Sequence, residues 1–245
     1  MLEGVDVSEH QGSIDWRAVA ASGRSFAFIR AADGQYRDQR FATNWAGARA
    51  AGLTRSAYQF FRPTIDPIAQ AGTLLSMMGP LAQGDLPPVL DVETFCPPPG
   101  TTCTSGGASP DVAADGIARW VDYVSRATQM MPILYASPSF WSQIPPRGTE
   151  RRTLPWIANW NVSAPAVPKG WKHWAFWQYT DRGSVPGISV PVDLDRFEGT
   201  FLDLKLLTRG GLVRVAAAGT AGAVLVASVS LAVALFLGRK PARKS

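Results

Sequence analysis

Histidine and cysteine are scarce here: the 245 residues include two of each. His10 and His173 are far apart and form no H-E-x-x-H spacing, so a zinc hydrolase has no ligand set to draw on, and no metal or other cofactor is expected. Two cysteines are too few for a disulfide-built miniature fold. No G-x-S-x-G elbow, P-loop or dinucleotide fingerprint is present. Charge is low as well, at 18%, against 46% hydrophobic residues, which excludes disorder as the main description. Internal repeats and low-complexity blocks are lacking.

Acids vanish after Asp203, while seven of the 24 Lys/Arg lie beyond it. The first 203 residues carry 17 basic and 19 acidic side chains, a net −2, so the pI near 9.5 belongs to the tail and not to a nucleic-acid-binding surface. Residues 215–237 hold no charge, and only Thr220, Ser228 and Ser230 break the apolar run. As a helix this stretch is about 34 Å long, enough to cross a hydrocarbon core of about 30 Å. Arg239, Lys240, Arg243 and Lys244 follow as a cytoplasmic stop. A transmembrane helix is therefore expected over 215–237, after a linker at 204–214 and before a basic tail at 238–245. Ala218 and Gly222 form a small-xxx-small pair, a weak homodimer signal within the bilayer. The opening residues show neither the basic n-region nor the apolar stretch of a signal peptide. Export would then need a leader, the C-terminal span itself, or release at lysis. The expected location is a single-pass membrane protein with residues 1–203 facing the cell wall, the alternative being the cytoplasmic face until lysis.

Before residue 203, strand-length apolar runs alternate with helical stretches. Strands are expected at 4–7, 26–32, 56–61, 88–93, 132–136, 154–160, 173–179 and 192–197. Helices are expected at 14–21, 40–51, 67–78 and 111–128, with one turn near 139–143. A β-α-β-α order of this length predicts an α/β fold, a parallel TIM-like (β/α) barrel. The helix-poor last third makes it irregular and flattened.

The chemistry concentrates at strand ends. In Pro88-Val89-Leu90-Asp91-Val92-Glu93, alternation puts Asp91 and Glu93 on one face. Two close carboxyls cannot both ionise cheaply, so one should hold a proton at neutral pH. Asp6 points away from the face of Val5 and Val7, and Asp193 and Asp195 share a face. If the barrel closes, four to five acids converge; helix caps or surface ion pairs would account for one or two of them. Tyr58, Tyr135, Trp160, Trp177 and Tyr179 lie near Gln59, Asn159 and Gln178. Acids ringed by aromatics and amides favour a carbohydrate, although much of the Trp belongs in a core. Cys96 and Cys103 bracket a Pro-rich loop just after Glu93; a disulfide there would brace the site's rim, the alternative being two reduced thiols.

Together these residues resemble the glycoside hydrolase family 25 lysozymes, the Chalaropsis-type N-acetylmuramidases. The matches are Gly4-Val5-Asp6-Val7-Ser8, Gln11-Gly12, Ile14-Asp15-Trp16, Phe26-Ala27-Phe28-Ile29-Arg30-Ala31, Ala57-Tyr58-Gln59-Phe60 and Arg62-Pro63. Asp91-Val92-Glu93, Trp156-Ile157-Ala158, Trp177-Gln178-Tyr179 and Val192-Asp193-Leu194 continue the series in order. The resemblance implies an irregular barrel that hydrolyses the β-1,4 bond between N-acetylmuramic acid and N-acetylglucosamine in peptidoglycan, without a metal. It implies Glu93 as general acid, Asp91 as the group that orients the substrate N-acetyl or stabilises anomeric charge, and Asp6 and Asp193 as flanking acids. Arg30, Asp33, Tyr58, Gln59, Phe60, Tyr135, Asn159, Trp160, Gln178 and Tyr179 are the expected substrate contacts. Two positions depart from the family: Arg30-Ala31-Ala32-Asp33 replaces a common Lys-Ala-Thr-Glu run, and Gln59 sits where His is common. Expected partners are peptidoglycan strands and, through 215–237, a lipid bilayer. Two other readings stay open, a non-catalytic glycan-binding domain held at a membrane and a lysis protein acting through its span.

Overall fold

Short polar side chains start most of the helices. Asp15 accepts the backbone N–H groups of Arg17 and Ala18 and opens α1 (Trp16–Ala21). Asp66 accepts from Ile68 and Ala69, with Pro67 in the first turn, to open α3 (Pro67–Met78). Ser109 and Ser137, each followed by proline, do the same for α4 (Pro110–Thr128) and α5 (Pro138–Trp141). Thr200 and Asp203 form a reciprocal capping box at α6 (Phe201–Leu207). Only α2 (Phe41–Ala50) starts without a side-chain cap among these six.

The computed structural model describes residues 1–94, 96 and 107–209. The expected membrane span at 215–237 and the basic tail lie outside the described residues, as does Cys103. Among the described residues no helix is long and apolar enough to cross a membrane.

Nine strands form one sheet: β1 (Leu2–Val7), β2 (Arg24–Asp33), β3 (Tyr36–Arg37), β4 (Thr54–Phe60), β5 (Val89–Asp91), β6 (Ile133–Ala136), β7 (Leu154–Ala158), β8 (Phe176–Gly183) and β9 (Val192–Phe197). The order is β1-β9-β8-β7-β6-β5-β4-β2-β3, and a β1–β2 pairing closes it into an eight-stranded barrel with β3 appended. β3 was not among the expected strands. It is a two-residue return of β2 around Gly34, whose φ of +57° suits glycine.

The expectation of a wholly parallel barrel is corrected at β9. Pairings from β1–β2 through β7–β8 are parallel, but β9 runs antiparallel to both β8 and β1. A parallel neighbour needs a crossover of a dozen or more residues, whereas residues 184–191 only suffice for a return. That return also explains why β8 runs to Gly183 and not to 179. The expected linker likewise begins inside the packed domain: α6 spans 204, and Leu204 and Leu207 are buried. Arg209 then exchanges backbone bonds with Gly84 and Asp85.

Period-2 alternation sorts the core into two layers. Phe26, Phe28, Val89, Ile133, Trp156, Phe176 and Phe197 fill the barrel. Their strand neighbours Ala27, Ile29, Leu90 and Leu134 face outward against the helices. α4 covers this layer with Ala113, Ile117, Trp120, Val121 and Val124, at three- and four-residue spacing, each large side chain contributing about 1.5–3 kcal/mol on burial. Gly4 is inside the barrel, where a Cβ would sit 2.4 Å from the Phe26 ring.

Candidate active site

The same alternation that points Phe26 and Phe28 into the barrel carries Arg30 to its mouth. It does likewise for Tyr58 and Phe60 on β4, Asp91 and Glu93 on and after β5, and Tyr135 on β6. A cleft of about 330 Å³ opens there, at the C-terminal ends of the parallel strands. Of the residues named from the sequence, Asp6, Arg30, Tyr58, Phe60, Asp91, Glu93, Tyr135, Trp160, Gln178 and Asp193 line it.

Four of the sequence-named contacts lie elsewhere. Gln59 is fully buried on the opposite face of β4 from Tyr58, and its Nε2 donates to the Gly34 carbonyl at 2.7 Å. Tyr179 is likewise on the opposite face from Gln178, with its hydroxyl donating to Glu3 at 2.8 Å. Alternation along the strand sends the side chain next to Tyr58, and the one next to Gln178, to the other face of the sheet. Asp33 is held by Arg62, through Nε at 2.5 Å and Nη2 at 2.7 Å, and influences the acids only through its charge. Asn159 lines a neighbouring groove and accepts the Ala166 N–H at 2.9 Å.

The cleft also holds residues not singled out as contacts: Val7, Ser8, His10, Gln11, Trp156 and Asp181. Val7, Ser8, Gln11 and Trp156 stood in the matched motifs, so the motif was the available signal. His10 and Asp181 had none, because no local pattern aims them at the barrel mouth.

The acids form two linked groups. Asp6 and Asp193 are direct partners across the β1–β9 ladder. Burial, then the neighbouring Asp193 and Asp195, hold the Asp6 carboxyl well above its ordinary range. Burial raises Asp193 to about 6. Asp195, fully buried, accepts Trp156 Nε1–H at 2.8 Å and is raised by burial and by Asp193. Among the described residues no donor is bonded to its other oxygen, and the Asp6 carboxyl is a neighbour.

Asp91 and Glu93 form the second group. Asp91 is buried, and burial followed by the charge of Glu93 pushes its pKa up. Glu93 lies two residues beyond the end of β5 and is open to the cleft. Protein on its remaining sides still desolvates it, and with Asp193 nearby its pKa is also raised. Among the described residues, none donates a hydrogen bond to Oδ1 of Asp91.

Gln178 ties the two sides together. Its Nε2 donates to Asp6 at 2.9 Å, while its Oε1 accepts from Tyr135 Oη–H at 3.0 Å and from Trp160 Nε1–H at 3.1 Å. Trp160 stays 42% exposed, leaving an indole surface at the cleft edge. On the far wall Arg30 is held by Asp38 at 3.0 Å and Glu9 at 3.3 Å. Among the described residues no cluster of His, Cys, Asp and Glu is arranged to hold a metal ion. Cys96 is in a disulfide; the expected partner, Cys103, is outside the described residues.

A barrel whose mouth carries two adjacent carboxyls, both with raised pKa, walled by aromatics, has the groups that a glycoside hydrolase uses. The model of the glycosyl hydrolases family 25 matches residues 5–188. Lysozyme M1 of Streptomyces globisporus is 36% identical over 217 residues, covering 84% of this chain and 71% of that protein. The N,O-diacetylmuramidase of Chalaropsis sp. is 28% identical, covering 85% of this chain and all of that one. The crystal structure of the bacterial lysozyme from Streptomyces coelicolor superposes with a TM-score of 0.79 at 36% identity, over 86% of this chain and 98% of the other. The chain thus belongs to glycosyl hydrolase family 25.

Proposed function

We propose that this protein is a peptidoglycan-cleaving N-acetylmuramidase that breaks the β-1,4 bond between N-acetylmuramic acid and N-acetylglucosamine. The carrying observation is the pairing of buried Asp91, with one oxygen that no described residue bonds, and cleft-facing Glu93. Glu93 holds a proton and delivers it to the glycosidic oxygen as the bond to the anomeric carbon breaks. Asp91 Oδ1 accepts the N–H of the 2-acetamido group, turning that group's carbonyl oxygen toward the anomeric carbon. Glu93, now a carboxylate, takes a proton from the water that completes hydrolysis. Asp193, which ionises above about 6, keeps negative charge close to the developing oxocarbenium ion, with Asp6 beside it. Trp160 offers a face for an adjoining sugar.

Mass spectrometry of digested cell walls tests this reading: reducing N-acetylmuramic acid ends support it, and reducing N-acetylglucosamine ends overturn it. Proton NMR of the first product tests the route. Initial β-anomer fits participation of the acetamido group, whereas initial α-anomer means that Asp6 or Asp193 activates water directly.

We propose further that residues 215–237 anchor the enzyme in a bilayer with the barrel on the wall side, for wall lysis or remodelling. Support comes from the 23-residue uncharged run and the four cations after it. Protease added to intact spheroplasts should digest the barrel. Protection until detergent is added would instead favour a cytoplasmic enzyme released at lysis, as in a phage endolysin.

A further inference from the structure

The catalytic cleft does not end at Trp160. Glu93, Tyr135 and Trp160 also line a second hollow of about 490 Å³, which runs past Ser137 to Pro138. Pro138 in turn is shared with a third and larger hollow of about 690 Å³. The second hollow adjoins the cleft through Glu93, Tyr135 and Trp160, and the third lies next to the second across Pro138 at the start of α5.

The third hollow differs in character from the cleft. Its floor is apolar, with Trp141 and Ile144 buried and Trp141 packed on Trp171 at 4.9 Å. Its rim carries Arg151 and Lys169, both exposed. The adjoining arginines are already committed: Arg147 bonds Asp111 and Asp115, and Arg152 bonds Asp122. Arg151 and Lys169 make no ion pair among the described residues. Glu150 also lines the hollow but lies against Gly170, where a Cβ would be 2.5 Å from its side chain. The rim therefore presents two cations and one anion, beside a cleft dominated by acids.

This inference rests on the muramidase reading. We infer that the third hollow binds the acidic peptide substituent borne by the glycan, with Arg151 and Lys169 pairing its carboxylates and Trp141 and Ile144 taking its small apolar side chains. Adjacency to the cleft places the hollow beside the bound glycan, and reversed charge supplies the discrimination: a stripped strand keeps only the lactyl carboxylate at the sugar ring itself, whereas an intact peptide carries its carboxylates out toward the two cations. Peptide-bearing glycan should thus bind more tightly than bare glycan.

The test measures wild type and the double variant Arg151→Glu/Lys169→Glu, as full-length chains, on solubilised glycan strands with peptides intact and on the same strands stripped by an amidase. Exposed pairs are individually weak, so the variant should raise KM on the peptide-bearing strands by about three- to tenfold with kcat retained. KM on stripped strands should not move, and added salt should erase the difference. Equal KM of the variant and wild type on peptide-bearing strands, or an equal rise on both substrates, would overturn the inference while leaving the activity standing. Wild type that cleaves neither substrate would overturn the muramidase reading and this inference with it.

Discussion

Gln178 and Asp6 are 172 positions apart in the chain, yet the amide of one donates a 2.9 Å hydrogen bond to the carboxylate of the other. The same amide accepts from Tyr135 and Trp160, so one side chain sets the positions of an acid, a phenol and an indole around the cleft. Gln178→Met keeps much of the volume and removes all three bonds. Each orphaned buried group costs about 1–3 kcal/mol, so urea unfolding should show a loss of at least that order. The donated bond lowers the Asp6 pKa; without it the acidic limb of the activity profile should move to higher pH. A variant with wild-type stability and an unmoved profile would remove Gln178 from this role.

Glu93→Gln preserves shape and cannot donate the proton at neutral pH. General acid catalysis contributes about 10²–10⁴-fold, and kcat on cell walls should fall by that factor with an unchanged melting temperature. Asp91→Asn should also be severe, because the amide is a weaker acceptor for the acetamido N–H and can turn its NH2 toward it. Near-normal turnover in Glu93→Gln would dismiss it as the acid.

Stability should fall as pH rises from about 5 to 7. A carboxyl whose folded pKa exceeds its unfolded value of about 4 holds more protons folded than unfolded. Its contribution is fully present below the unfolded pKa and is lost as pH climbs through the folded one. Asp6, Asp91 and Asp195 are raised in this way, and Asp193 reaches about 6. Glu9 and Asp66 are shifted down, Glu9 against the effect of its burial by bonds from Gln39 and Tyr36, and Asp66 by the Ala69 and Ile68 N–H groups. Their contribution has the opposite sign and disappears as pH falls below about 4. Melting scans from pH 3.5 to 7.5 should peak between these limits, and Asp193→Asn should flatten the part between about 4 and 6. A melting temperature that climbs steadily to pH 7.5 contradicts this account.

Arg55 and Asp85 form a buried pair, Nε to Oδ1 at 2.8 Å and Nη2 to Oδ2 at 3.3 Å, behind the barrel. Asp85 Oδ2 also accepts the Ala82 N–H. Asp85→Ala strands a buried guanidinium and should cost about 3–5 kcal/mol in denaturant unfolding. Asp85→Asn keeps the acceptor and should cost less. Equal effects of the two substitutions would mean that charge pairing is not what matters there.

Much of the scaffold was legible because its causes are local. Asp66-Pro67 and Ser109-Pro110 announce helix starts, because the Asp66 and Ser109 side chains accept N–H groups of the first turn and the proline has none to leave unpaired, and Gly79 closes α3 at a φ of +66°. Asp91 and Glu93 share a face because a strand alternates, whatever surrounds it. The reversal at β9 was less legible, since strand direction depends on the length of the connection and on where the barrel must close.

What the sequence determined by itself was thus the strand-and-helix order, the caps, and the face on which each strand's acids lie. Only the tertiary structure decided which faces meet. Closure of β1 against β9 sets Asp6 opposite Asp193, and the stagger of eight strands brings Gln178 to Asp6 and admits His10 and Asp181 to the cleft. It also turned Gln59 and Tyr179 away, although each adjoins a cleft residue in sequence. Period and capping are properties of a few consecutive residues. Convergence at a barrel mouth is a property of every strand at once, because register and shear place each side chain relative to residues far along the chain.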